Sequence, residues 1–308
     1  MRKVLYIMIA VVVLSACGKS YEEEKQERQA NQQRLAKENA DALKIGVLPT
    51  LDCLPIYVAQ ELQLFDTTVV DVRLKLFTAQ MDCDTALVGR TVEGAVGDLV
   101  RMERLVSKGA KMHYVVQTDA YWQLFTNRNA RINQLKHLED KMVAMTRYSV
   151  TDLLTDMAVD SAKVKSEYVF RIQVNDVNVR LQMLQNNMMD ALWLTEPQAT
   201  VARLAKNPVL VDSRRVGVNY GVLAFNSEKM KTFERKQQLD AFMKGYDAAC
   251  DSINKYGISH YRDLVARYCN VKPAIVDSLP KGIKFSHARG PLQQNIERVN
   301  SWLKNTKK

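Results

Sequence analysis

The sequence has no apolar run long enough to cross a bilayer, no internal repeat, no low-complexity run and no glycine-rich linker. It also lacks a G-x-S-x-G elbow, an H-E-x-x-H pair and a C-x-x-C pair. Its four histidines, His113, His137, His260 and His287, lie far apart. These absences take away the usual marks of a hydrolase, a zinc protease and a dithiol redox centre. Gly18-Lys19-Ser20 resembles the end of a phosphate-binding loop, but Val13 stands where that loop needs its first glycine. Neither a cofactor nor a metal is expected. Lys and Arg outnumber Asp and Glu, for a formal charge of +10, yet they are scattered and form no stripe interleaved with aromatics. Nucleic acid is therefore not expected as a partner, and a basic face over anionic lipid headgroups explains the charge more simply.

What is present begins with an export signal. Arg2 and Lys3 precede an apolar stretch over residues 4–13, followed by Leu14-Ser15-Ala16-Cys17. A spanning helix needs about 20 apolar residues, so this shorter run reads as a signal peptide, residues 1–16. Residues 18–42 are rich in Glu, Gln, Lys, Arg and Asn and nearly free of apolar side chains. They cannot bury a face and read as a tether, either disordered or a solvated helix.

From residue 43 onward, strand and helix patterns alternate. Strands are expected at 43–48, 70–77, 94–100, 112–117, 142–146, 168–174, 191–194 and 220–225, and helices at 53–64, 100–108, 149–160, 176–187 and 197–206. Beyond Phe225 the pattern is mainly helical. Alternation of this kind predicts an α/β fold with parallel sheets covered by helices. Several strand ends stop at a residue able to cap the next helix, notably Ser149 with Asp152, and Thr195 before Pro197. Helix N-termini at strand ends are potential anion or carbonyl sites. Four cysteines remain in this body. They fit two bridges, Cys53–Cys83 and Cys250–Cys269, as well as they fit four buried thiols.

Leu14-Ser15-Ala16-Cys17 resembles the lipobox of bacterial lipoproteins, which implies cleavage before Cys17 and lipidation of its sulfur. Four further stretches, "LKIGVLPTLDCLPIYVAQELQLF", "GAVGDLVRMERLVSKG", "LEDKMVAMTRYSVTDLLTDMAV" and "LQNNMMDALWLTEPQAT", resemble the solute-binding proteins of nitrate/sulfonate/taurine-type ABC importers. Relatives of that family bind pyrimidine precursors of thiamine. The resemblance covers about residues 43–225 and implies a two-lobed type II periplasmic binding protein fold with a helical C-terminal segment. Lobe one would comprise 43–120 plus 220–308 and lobe two 121–219, with ligand between them.

By the same resemblance, the binding residues are Thr50, Leu51 and Asp52 after the first strand, Gly97 and Asp98 at a later strand end, Tyr148, Ser149 and Val150 at a helix start, and Glu196 with Pro197. Tyr121, Trp122, Asn219 and Tyr220 sit near the two expected crossovers, where aromatic rings can stack on a flat ligand or serve the core. Asp52, Asp98 and Glu196 suit an amine or ring N–H, whereas Arg147 and the helix N-termini suit a sulfonate, nitrate or carboxylate. The implied function is a lipid-anchored protein outside the cytoplasm, on the periplasmic face, that captures a small polar organic or anionic nutrient and delivers it to ABC importer permease subunits. Two alternatives are an enzyme on the same fold, such as a pyrimidine-synthesising one using Cys53, Cys83 and a histidine, and a scaffold lipoprotein of the envelope. On the lipobox reading, Cys17→Ser abolishes metabolic labelling by a fatty acid while the body still folds, and equal labelling of mutant and wild type removes the anchor.

Overall fold

The computed structural model describes residues 21–306. The signal segment and Cys17 lie outside the described residues. The chain divides into two compact units at Ala42 and Leu43. In the first unit, helix α1 (Tyr21–Asp41) has no apolar face, and it carries i,i+4 ion pairs Arg28–Glu24 (3.5 Å) and Arg34–Glu38 (3.6 Å). Such pairs stabilise a solvated helix by a few tenths of a kcal/mol each, about 0.2–0.5. Of the two readings of the tether, the helix is the one observed over this span.

The second unit holds two five-stranded sheets. Strands β1 (Leu43–Val47), β2 (Val72–Leu76), β3 (Gly94–Asp98), β4 (Met112–Gln117) and β10 (Gly221–Asn226) form one, in the order β2-β1-β3-β10-β4. Strands β5 (Gln123–Thr126), β6 (Lys141–Met145), β7 (Val169–Gln173), β8 (Ala191–Leu194) and β9 (Val209–Asp212) form the other, in the order β7-β6-β8-β5-β9. Each sheet with its helices is a lobe. The chain passes between the lobes twice, over residues 118–122 and 213–220.

Neither sheet is purely parallel, which corrects the expectation. β10 runs antiparallel to both β3 and β4, and β5 runs antiparallel to β8 and β9. Each exception follows a passage between lobes, where the chain re-enters a sheet without a crossover helix to turn it round. β5 and β9 were not expected from the sequence, nor was helix α3 (Gln80–Val88). Both strands are four residues long, too short for a periodic signal, and α3, "QMDCDTALV", has no apolar stripe.

The other helices fall close to their expected places. They are α2 (Leu54–Glu61), entered through a 3₁₀ turn at Leu51–Cys53, then α4 (Leu99–Val106), α5 (Val150–Ser161), α6 (Val177–Gln185) and α7 (Gln198–Leu204). The helical C-terminus comprises α8 (Phe233–Tyr256), α9 (Arg262–Cys269), α10 (Pro273–Val276) and α11 (Gln293–Thr306). Thr232 opens α8 by accepting the Arg235 N–H at 3.2 Å, and Gly257 ends it at φ 82°, a left-handed value that disfavours a side chain. The four cysteines are free and buried, so the disulfide alternative does not hold. Three of them spend their thiols separately: Cys53 Sγ accepts from the Leu48 N–H (3.5 Å), and Cys83 and Cys250 donate to the carbonyls of Val96 (3.6 Å) and Ser286 (3.4 Å).

The first lobe packs β1 and β10 against α2 and α8 through Ile45, Tyr57, Phe225 and Phe242. A second apolar cluster runs from Ala95 and Val222 in the first lobe to Trp193 and Val143 in the second and on to Val299 of α11. Trp193 is fully buried in it, with its indole N–H donating to Thr155 Oγ1 at 2.8 Å. Trp193→Ala is expected to cost about 3–5 kcal/mol in urea unfolding. Trp193→Phe, which keeps most of the volume and loses the bond, costs less.

Candidate functional site: the interlobe cleft

The stretch that follows β1 explains why a strand should end in a polar turn. Pro49 stops the strand, Thr50 is extended, and the chain turns through Leu51–Cys53 into α2, so Thr50 and Asp52 face the other lobe. Across from them lie Thr146 at the end of β6, Val150 and Thr151 at the start of α5, and Val177 and Arg180 in the first turn of α6. Between these walls is an interlobe cavity of ≈ 60 Å³. That is room for several water-sized bodies, since one needs about 10–15 Å³ by the same measure.

The charges within the cavity decide its chemistry. Arg180 is 6% exposed, and its Nη1 donates to Thr146 Oγ1 (3.3 Å) and to the Val174 carbonyl (3.2 Å). Its Nε has no hydrogen bond and its guanidinium forms no ion pair among the described residues. Burial pulls its pKa down to about 10, an effect only partly opposed by the more distant Asp176. It remains a cation at neutral pH. Its position at the start of α6 adds the positive end of the helix dipole. An unpaired buried charge is costly, by several kcal/mol, so an anionic group in the cavity would find a site already prepared.

On the first-lobe wall, Asp52 accepts a hydrogen bond from Thr118 Oγ1 at 3.0 Å, and burial raises its carboxyl above the usual range. Trp122, Gln80 and Asn175 complete much of the lining, with hydroxyls from Thr50, Thr78, Thr146, Thr151 and Thr195. Gly97 lies at the base: a Cβ there would come within 2.8 Å of Met102 Cε and 3.0 Å of Gln80 Nε2. Glycine is needed because Gln80 must lie close over the strand.

Of the residues singled out by sequence, Thr50, Asp52, Gly97, Trp122 and Val150 line the cavity and the others do not. Asp98 lies behind the wall. Its Oδ1 accepts from the N–H groups of Arg101 (3.0 Å) and Val150 (3.1 Å), so one carboxylate oxygen caps α4 in its own lobe and α5 in the other. Burial raises the Asp98 carboxyl, opposed chiefly by the Arg101 guanidinium. Its Oδ2 and Gln80 Nε2 face each other without a hydrogen bond of full geometry. The α5 N-terminus is thus partly occupied by the protein's own carboxylate.

Ser149 is buried as the α5 cap, its Oγ accepting from Thr151 N at 3.1 Å. Arg147 is half-exposed, 4.0 Å from Asp152 Oδ2, and is not among the residues that line the cavity. Tyr148 takes φ 53°, held by its N–H bond to Asp152 Oδ2 (2.8 Å) and by the Arg104 guanidinium 4.2 Å from its ring centre. Leu51 donates its N–H to the Glu196 carbonyl across the lobes at 2.8 Å.

The Glu196 side chain turns into the second lobe, where Tyr121 (2.8 Å), Thr200 Oγ1 (2.7 Å) and Arg203 all donate to it. Arg214 lies 3.8 Å from the centre of the Tyr121 ring, which is therefore stacked by the protein itself. Pro197 occupies the N-cap position of α7, so Thr195, which lines the cavity, does not cap that helix. Asn219 lies in an outer depression by the second crossing, and Tyr220 is buried in the core.

The residue that sequence reading missed is Arg180. The signal was available: Val177, Leu181 and Leu184 form an apolar stripe, and Arg180 stands on the same helical face.

Comparison with known proteins places this geometry. No curated protein sequence matches the chain. The alkanesulfonate-binding protein SsuA from Xanthomonas axonopodis pv. citri, bound to MOPS, superposes with a TM-score of 0.72 at 14% identity, over 86% of this chain and 91% of that one. The periplasmic nitrate-binding protein NrtA from Synechocystis PCC 6803 gives 0.66 at 12% identity, over 81% and 74%. PhnD1 from Prochlorococcus marinus (MIT 9301), in complex with methylphosphonate, gives 0.59 at 13% identity, over 86% and 98%. These likenesses establish the periplasmic binding protein fold. The NMT1/THI5-like family model matches residues 50–256, about two thirds of the chain, and the chain belongs to that family.

Proposed function

We propose that the protein is the solute-binding component of an ABC-type importer, that it works outside the cytoplasm on a lipid anchor at Cys17, and that it captures a small solute with an anionic group between its lobes. Arg180 carries this reading: it is buried, lines the cavity, has an unused Nε and forms no ion pair among the described residues. Asp52, on the opposite lobe, adds an acceptor for an N–H or O–H group of the same solute. The structural neighbours described as binding an alkanesulfonate, nitrate or methylphosphonate share the fold and take anions. The anchor rests on the lipobox motif alone. Arg147, the cation first offered for this role, is replaced in the proposal by Arg180.

An enzymatic reading has less support. All four histidines are exposed and none lines the cleft, and burial pushes the Cys53 and Cys83 thiols up, away from the reactive thiolate.

Calorimetry with nitrate, methanesulfonate, methylphosphonate and 2-aminoethanesulfonate tests the assignment. Arg180→Gln is expected to weaken the best of these by about 10- to 150-fold, the worth of a charge-assisted hydrogen bond. Unchanged affinity would place the anion elsewhere. Asp52→Asn should weaken the amine-bearing solute more than its plain counterpart.

A second expectation separates function from stability. Arg180→Met removes a buried charge with no ion-pair partner among the described residues, so the ligand-free variant should melt at a higher temperature than wild type while losing the solute. A third concerns motion: small-angle scattering should show a smaller radius of gyration with saturating solute, and an identical profile would mean a rigid site.

A further inference from the structure

Away from the cleft, a groove of ≈ 600 Å³ runs beside β9, the edge strand of the second sheet. It is ten times the size of the interlobe cavity and within the usual range for small-molecule sites, about 300–1,000 Å³. We infer that this groove is a second ligand site, built for an alkyl-chain carboxylate.

The floor is apolar and firm. Leu154 and Ala158 of α5 are 1% and 4% exposed, and Met157 beside them is half-buried. Val209 and Val216 leave 37% and 42% of their surface open along the wall. Apolar surface gathered in a concave strip, rather than scattered singly, marks a binding surface. A polar solute of the kind proposed for the cleft gains nothing from such a floor; an alkyl chain gains with every methylene it buries.

The other half of the ligand is set by charge. Arg203, Arg214 and Arg215 all border the groove, against one carboxylate, Asp212. Arg203 is anchored from behind by buried Glu196, and Arg214 by Asp212 at 2.5 Å, so both guanidiniums are positioned and still partly open. Arg215 is exposed and has no ion-pair partner among the described residues. An apolar trough with excess positive charge complements a chain that ends in an anion.

The test is calorimetry on the intact chain with hexanoate, octanoate and decanoate, and with decanol and decylamine as controls. Affinity should rise about fourfold per added methylene until the groove is filled. Decanoate should bind more tightly than decanol, and decylamine least. Arg215→Glu should weaken decanoate about tenfold and leave decanol unmoved. Ser161→Trp, which fills the groove from α5, should abolish binding, with circular dichroism to confirm the fold. Arg180→Gln should leave decanoate binding intact, because the cleft is a different site. The inference is overturned if decanoate does not bind, if chain length has no effect, if decanol binds as well, if Ser161→Trp binds normally, or if Arg180→Gln removes binding.

Discussion

The bond that most directly ties the two lobes into one site runs from the N–H of Val150 to the carboxylate of Asp98. A helix leaves its first N–H groups without intrahelical partners, and here a single oxygen serves two helices in different lobes. Its position follows from local structure. β3 ends at Asp98 because an extended aspartate is a good cap for the helix that begins at Leu99. Gly97 before it leaves space for Gln80, and α5 is delivered to the same oxygen by the left-handed turn at Tyr148. The result is that the α5 N-terminus, the most obvious anion site in a strand-to-helix turn, is already engaged, and positive potential in the cavity must come from elsewhere.

It comes from Arg180, and its neighbours show how a cation is kept in so unfavourable a place. Thr146 and the Val174 carbonyl take two hydrogen bonds from Nη1 and fix the plane of the guanidinium, leaving Nε unused. Val177, Leu181 and Leu184 hold the helix face against the sheet, so the side chain cannot swing out to water without undoing that packing. Asp176, the nearest acid along the helix, spends its carboxylate on the N–H groups of Asn178 and Val179. A lysine here would be a poorer choice, because a more strongly hydrated ammonium loses more on burial and lacks the fork that grips a planar or tetrahedral anion.

Much of the frame was legible in the sequence because it rests on short-range rules. Strands such as "VRLKL" and "MHYVVQ" carry period-two or apolar signals, and the helix start at Ser149 carries a capping residue, whereas the strand expected at 94–100 ends at Asp98, whose capping of α4 the sequence reading missed. The two short strands and α3 were not legible: four residues give no period, and α3 is held by its contacts with β1 and β3 rather than by an amphipathic pattern. The lining of the candidate cleft was legible where the backbone fixes it, in the turn at Thr50 and Asp52 and at Gly97 in β3, and not where a side chain has a choice of direction. Glu196 is the clear case, since its carbonyl meets Leu51 across the lobes while its carboxylate faces Tyr121 and Arg203 in the opposite sense. One sequence position therefore serves the cleft through its backbone alone.

The same bonds bear on what opens and closes the cleft. Among the hydrogen bonds between the lobes are Val150–Asp98, Leu51–Glu196, the Gln198 amide on the Pro49 carbonyl at 2.9 Å and the Trp302 indole on Asp156 at 2.7 Å. In water each is worth about 0.5–1.5 kcal/mol net, for a few kcal/mol together. Against this would stand the burial of Arg180, which, if closing completes it, costs several kcal/mol with no anion present. On the proposed function the two quantities would be of similar size and opposite sign, and would leave the empty protein near balance between open and closed. On the same proposal, an anion that pairs with Arg180 would remove the opposing part without adding to the latch. A neutral solute of the same shape would leave it in place, so on the proposed function one side chain would set both the selectivity for charge and the drive to close.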